Sequence, residues 1–226
     1  MQAQQGDRIS AVAALDEPTR RRLYDHVARQ PGPVGRDEAA SAMDLPRTTA
    51  AFHLDRLVDE GLLDVVYERR SGRTGPGAGR PAKLYRRSAC EVTVSLPERR
   101  YDLAGQLLAT ALEESARSDE PPQAVLDQCA YRFGRNLAEA REAGREAAED
   151  VLRILEDQGY EPRVEPGAVT LENCPFHALA QEHTDLVCGM NLKLLDGLLD
   201  GLGSTGLAAE LDPSPERCCV RLQSQD

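Results

Sequence analysis

The chain has 226 residues, no Trp, few aromatics, and 27 Lys and Arg against 38 Asp and Glu, for a formal charge of -11. That length accommodates one large domain or two small ones, and no apolar run approaches the roughly 20 residues that a membrane helix requires. Met1 to Ser10 lacks an apolar signal core, so the expected location is the cytoplasm, where six cysteines are metal ligands, redox groups or small core residues before they are disulfides.

Charge divides the chain. Residues 1–90 hold 15 Lys and Arg against 12 Asp and Glu, a net of +3, whereas residues 91–226 hold 12 against 26, a net of -14. An acidic half repels a polyanion, so any nucleic acid belongs to the first half. A helix is predicted from near Asp16 to about Arg29, with Pro18 in its first turn and Leu23 and Val27 on its buried face. Gln30-Pro31-Gly32-Pro33 stops it. A second helix covers roughly Arg36 to Met43, and a third runs from about Arg47 to Glu60 and ends at Gly61. Leu54, Leu57 and Val58 form the inner face of that third helix. Arg47, Thr48, Thr49, Phe52 and His53 lie on its opposite or leading face.

After Gly61 the period changes to two, with Leu63, Val65 and Tyr67 alternating with Asp64, Val66 and Glu68, which predicts a strand. Lys83 to Arg87 reads as the return strand, with Leu84 or Tyr85 packing inward. Between Arg69 and Arg87 the chain carries Arg69, Arg70, Arg73, Arg80, Lys83, Arg86 and Arg87 and no acid, a local charge of +7. Three helices followed by a cationic hairpin form a winged helix-turn-helix: the third helix enters the major groove and the hairpin grips phosphates. The candidate DNA contacts are therefore Arg47, Thr48, Thr49, Phe52, His53, Arg69, Arg70, Arg73, Arg80 and Lys83. Arg47 leads, since a leading Arg can chelate guanine or clamp a phosphate. Thr48 and Thr49 can serve as helix caps instead, and Phe52 as a plug between helices.

In the second half a helix is predicted from about Glu98 to Ser118, with an apolar stripe of Leu103, Leu107, Leu108 and Leu112. It serves as core or as a linker and dimerisation helix over 91–120. A further helix starts at Pro121-Pro122, with Leu126, Cys129, Phe133 and Leu137 on one face, which makes Cys129 a small core residue. Cys90 is read the same way. Another helix covers about Arg145 to Gln158 with a solvated charged face. The order strand, strand, helix, strand, strand follows, at roughly 161–164, 168–172, 183–202, 207–211 and 219–222. This makes the region 121–226 an α+β domain with a small antiparallel sheet, and the whole chain α+β.

Cys174, Cys188, Cys218 and Cys219 fall within that last domain, with His177 one turn after Cys174. Three chain segments can bring them to one point, although Cys218 and Cys219 should face opposite ways if both are in a strand. Mostly thiolate sets hold tetrahedral zinc or an iron–sulfur cluster, and spacing does not separate the two. Cys188–His183 and Cys174–His177 are conceivable nucleophile pairs. No third orienting group accompanies either, and no enzyme is expected.

Leu15-Asp16-Glu17-Pro18-Thr19-Arg20, His53-Leu54-Asp55-Arg56-Leu57-Val58-Asp59-Glu60-Gly61-Leu62-Leu63, and Gly79-Arg80-Pro81 with Tyr85 resemble ArsR-type winged helix-turn-helix transcriptional regulators over about residues 9–90. That resemblance implies a homodimer on a palindromic double-stranded DNA operator. Glu172-Asn173-Cys174-Pro175-Phe176-His177, Val187-Cys188-Gly189-Met190-Asn191 and Arg217-Cys218-Cys219-Val220 are similar to the SufR-like regulators of iron–sulfur cluster assembly genes. This second resemblance implies a repressor carrying a [4Fe-4S] cluster on Cys174, Cys188 and Cys218 or Cys219. His177 or the second of the adjacent pair would complete the set. Zinc is the alternative cofactor, and a small-molecule sensor with incidental cysteines is the alternative domain.

Overall fold

A computed structural model describes residues 2–69, 81–140, 147–203, 205–214 and 217–225, with side chains from residue 8 onward. The chain divides into two compact units, Met1–Val94 and Ser95–Asp226. The architecture is α+β.

The first unit opens with α1 (Gln2–Ala14), a helix that the hydrophobic pattern does not announce. Only Ala11 and Ala14 of its described side chains are buried, and small residues give a weak periodic signal. Next, α2 spans Pro18–Ala28, two residues later than expected from Asp16. Glu17 caps it, its carboxylate accepting from the Thr19 and Arg20 backbone N–H groups at 3.0 and 2.6 Å. Pro18, which lacks an N–H, occupies a first-turn position where none is needed. The order continues with β1 (Val34–Gly35), α3 (Arg36–Met43), α4 (Arg47–Asp59), β2 (Leu63–Glu68) and β3 (Ala82–Arg87). Asp44 ends α3 in the left-handed region at φ 54°. The three strands pair in the order β1-β3-β2, and β2 and β3 run antiparallel from Leu63↔Arg87 to Glu68↔Ala82. Leu23, Val27, Leu54, Leu57, Leu63 and Tyr85 form the core under this sheet. Leu84 and Tyr85 are both buried. Tyr67, toward the end of β2, is exposed.

The second unit contains α5 (Tyr101–Ser115), α6 (Pro122–Glu139), α7 (Ala147–Asp157), β4 (Pro162–Glu165), β5 (Ala168–Leu171), α8 (His177–Glu182), α9 (Thr184–Leu202), β6 (Leu207–Leu211) and β7 (Val220–Ser224). Its strands are all antiparallel, in the order β4-β5-β7-β6. From Ser95 onward the segment expected to be a linker is part of this unit: Leu103, Ala104, Leu107 and Ala111 of α5 join the core with Leu126 and Ala130 of α6 and Leu194, Leu195 and Leu198 of α9. Leu112, on the expected stripe, is exposed. The charged face assigned to the 145–158 helix is only partly solvated, since Asp150 is fully buried and lies 3.6 Å from Arg153. Gly134 on α6 and Gly197 and Gly201 on α9 let these two helices approach backbone to backbone. A Cβ at Gly201 would lie 2.7 Å from the Ala138 Cβ.

Candidate nucleic-acid interface and cysteine site

In the first unit Pro46 precedes α4 and frees the leading turn from the α3–α4 corner. Ala50, Leu54 and Leu57 anchor the helix inward, and this fixes what faces out. Arg47 has a side chain 71% exposed and pairs with Asp37 of α3 at 2.8 Å. Thr48 is exposed and Thr49 half-buried. Phe52 is 67% exposed, so it is no plug between helices. It presents an apolar ring beside Arg47 and Thr48, suited to a thymine methyl. His53 departs from the set. Its side chain is only 13% exposed, with Nδ1 3.5 Å from the Glu17 carboxylate. It lies beside the N-cap of α2 and does not join the outward face.

The hairpin is tied to the same helix. Lys83 Nζ and the Tyr85 hydroxyl both donate to Asp55 Oδ1 of α4, at 2.6 and 2.8 Å. Lys83 is therefore engaged within the protein and aligns the wing with α4. Burial alone would raise the Asp55 carboxyl, but the Lys83 and Tyr85 hydrogen bonds outweigh it and hold it below its ordinary 3.8. Burial, with the bond to Asp55, pushes the Tyr85 phenol up to about 12. Because the folded pKa of Asp55 is depressed, this tie adds stability above pH 3.8 and loses it as pH falls through the lowered value. Tyr85→Phe is expected to cost about 1–2 kcal/mol in urea denaturation at neutral pH, with a smaller difference from wild type in acid. An equal loss at both pH values would refute the tie. Arg69 and Arg87 are exposed, and Arg86 lies 3.6 Å from Asp64. Arg70, Arg73 and Arg80, with the rest of the 70–80 tip, fall outside the described residues. Tyr67 at the stem of the hairpin is a surface aromatic.

The four cysteines of the second unit come together through the sheet. The Cys218 N–H donates to the Leu171 carbonyl at 2.9 Å, and the Asp212 N–H donates to the Cys219 carbonyl at 2.8 Å. These bonds seat the 218–219 pair between the end of β5 and β6. Cys174 follows β5 by three residues, and Cys188 lies in the second turn of α9. The Cys218 thiol hydrogen-bonds the Cys174 sulfur and accepts from Asn191 Nδ2 at 3.2 Å. The Tyr160 hydroxyl donates to Asn191 Oδ1. The bond from Cys218 outweighs burial and brings the Cys174 thiol below its ordinary range. The same bond, with burial, pushes Cys218 far up. Arg99 donates to Asn173 Oδ1 and to the Cys174 carbonyl, the latter at 3.2 Å, and Asn173 Nδ2 donates to the Gly159 carbonyl at 2.6 Å. The cysteine-bearing turn is thereby clamped from two sides.

Cys188 and Cys219 are joined in a disulfide with a Cα–Cα distance of 6.2 Å, contrary to the expectation from a reducing compartment. Both members of the adjacent pair reach the site, because regular strand begins only at Val220 and residues 218–219 are not bound to strict alternation. His177 does not join them. It opens α8, its backbone N–H donating to the Cys174 carbonyl at 3.1 Å. Among the described residues no three His, Cys, Asp or Glu side chains are grouped so as to hold a metal ion. The disulfide form thus does not fit zinc or a cluster; four thiols are on offer only once Cys188–Cys219 is reduced. Cys129 is buried as expected, with Arg132 Nη2 3.2 Å from its sulfur. Cys90 is exposed, a correction that follows from its place in the coil after β3.

A family model described as a helix-turn-helix domain matches residues 15–66, the span from just before α2 through most of β2. The first unit is accordingly a helix-turn-helix DNA-binding domain of the winged type, and the chain has the build of a DNA-binding transcriptional regulator with a second α+β unit. No curated protein and no solved structure matches the chain. Among the described residues no helix is long and apolar enough to cross a membrane.

Proposed function

We propose that the chain is a homodimeric repressor that binds a double-stranded operator through α4 and the wing. Its second unit senses iron–sulfur or redox status through Cys174, Cys188, Cys218 and Cys219. The DNA-binding half rests on the outward cluster of Arg47, Thr48 and Phe52 on the leading face of α4, followed by a hairpin rich in arginine. In this reading Arg47 reads a base edge, Phe52 meets a methyl group, and Arg69, Arg70, Arg73 and Arg80 hold phosphates. Two copies related by a two-fold axis address half-sites about one helical turn apart.

The sensing half rests on two pairs of cysteines, Cys188 with Cys219 and Cys174 with Cys218, drawn from three chain segments. Their thiolates, once reduced, suit a [4Fe-4S] cluster in kind and number. The disulfide favours a second reading in which thiol oxidation itself is the signal.

Fragments of the promoters of its own and neighbouring genes are the first duplexes to test. Arg47→Ala is expected to relax sequence preference, and the Arg70→Ala, Arg80→Ala double variant to weaken binding to all sequences and flatten the salt slope. If Arg47→Ala leaves discrimination intact, α4 does not read bases in this orientation. Iron and sulfide assays on protein prepared without oxygen test the cluster. Colourless, iron-free protein with full operator affinity would rule it out.

A further inference from the structure

We propose that the four cysteines form a thiol redox site with two successive oxidation steps, Cys188–Cys219 closing first and Cys174–Cys218 second, with a peroxide as oxidant and a dithiol as reductant. The first pair is already closed. It bridges the second turn of α9 to the lead-in of β7 across 31 residues, at a Cα–Cα distance ordinary for a disulfide. The second pair consists of free thiols in direct hydrogen-bond contact, drawn from segments adjacent in the sheet because residue 218 bonds to residue 171. Both are buried, at 7% and 2% exposure, so the oxidant proposed for them is a small one, not a protein thiol.

The two pairs share a frame. Asn191, one helical turn after Cys188, holds the Cys218 sulfur, and Tyr160 fixes Asn191. Breaking the first bridge frees the start of α9 from the strand that positions the second pair. That coupling makes the pairs one device with ordered steps.

The chemistry balances within the named reactants. In the second step the thiols of Cys174 and Cys218 and one peroxide ROOH give an S–S bond, ROH and water. The O–O bond breaks, and the two thiol protons end on the two oxygens. In reduction the dithiol becomes a disulfide, the Cys188–Cys219 bond breaks, and two protons pass to those sulfurs. Oxidised once, the site retains two thiols; oxidised twice, it has none and excludes any soft metal. The thiol assignment stands on the 188–219 bridge and on the neighbouring 174 and 218 thiols, whereas its link to transcription rests on the proposed redox sensing.

Full-length protein would be exposed in turn to dithiothreitol, air and hydrogen peroxide, unfolded in the presence of iodoacetamide, and mapped by peptide mass. The expected series is four alkylated cysteines in this unit's site, then a 188–219 link with 174 and 218 alkylated, then both links. Cys174→Ser should lose only the second link and Cys188→Ser only the first. Should either variant fail to fold by circular dichroism, the wild-type series decides. Absence of the 188–219 link in air, or conversion of Cys174 to sulfinic acid without a bond to Cys218, would overturn the assignment. Operator affinity in the same three samples is expected to differ by about tenfold. Equal affinity throughout, with the links formed as described, would overturn redox sensing and leave the thiol site standing.

Discussion

Gly197→Ala is expected to destabilise the second unit by about 3 kcal/mol or more. A Cβ there would overlap the Tyr131 carbonyl oxygen and lie 2.8 Å from its carbon. Those are main-chain atoms of α6 and cannot turn aside as a side chain would. Gly134 meets the mirror condition, its Cβ overlapping the Leu194 carbonyl and lying 2.8 Å from the Leu198 nitrogen. The two helices therefore touch at two reciprocal points, with Ala138 and Gly201 one turn further on. Since α9 also carries Cys188 and Asn191, forcing it away from α6 should disturb the cysteine site as well. Gly105→Ala is the control. It lies on the exposed side of α5 with no atom within 4 Å of the added carbon, so it should raise stability by about 0.5–1 kcal/mol through helix propensity. Urea denaturation of the two variants measures both effects. A Gly197→Ala protein as stable as wild type would mean that α6 and α9 do not cross as described.

Raising salt from about 50 to about 200 mM is expected to weaken operator binding by about 10³-fold or more. A dimer offers two copies of Arg69, Arg70, Arg73 and Arg80, with further help from Arg47 and Arg87, so on the order of ten phosphates can be neutralised. Arg47 must leave Asp37 to take part. Lys83 is committed to Asp55 and should add little to the salt slope; Lys83→Met is expected to change wing alignment and leave the slope nearly intact. Fluorescence anisotropy titrations at several salt concentrations give the slope directly. A value near that of only one or two ion releases would remove the wing from the interface, because the arginines of 69–87 are the cations expected to meet phosphates.

Much of the first unit could be read in advance. Pro18, Gly61 and the shift from helical to alternating period mark element boundaries by local chemistry, and α2, α3, α4, β2 and β3 fall within a residue or two of where those signals lie. Leu54 and Leu57 announced the inner face of α4, and with it the outward placement of Arg47 and Thr48. His53 and Phe52 separate by the same spacing: His53 is three residues after Ala50 and four before Leu57, which sets it beside the buried face and 3.5 Å from Glu17, whereas Phe52 lies away from that face. Alternation states which side of β2 the exposed Tyr67 occupies, and only the packed helices determine how far along the strand that side is covered.

In the second unit the strand order of types and the importance of positions 174, 188, 218 and 219 were legible, because residue chemistry and coarse order are properties of the chain itself. Pairing was not. That Cys188 meets Cys219, that Cys218 meets Cys174, and that His177 stays apart follow from β7 lying between β5 and β6 with α9 across them. Which sulfur reaches which is a matter of distances between segments dozens of residues apart. Local sequence supplies the donors and the helix caps through nearest-neighbour interactions, whereas partners across the sheet are chosen by the one packing that buries the leucine core.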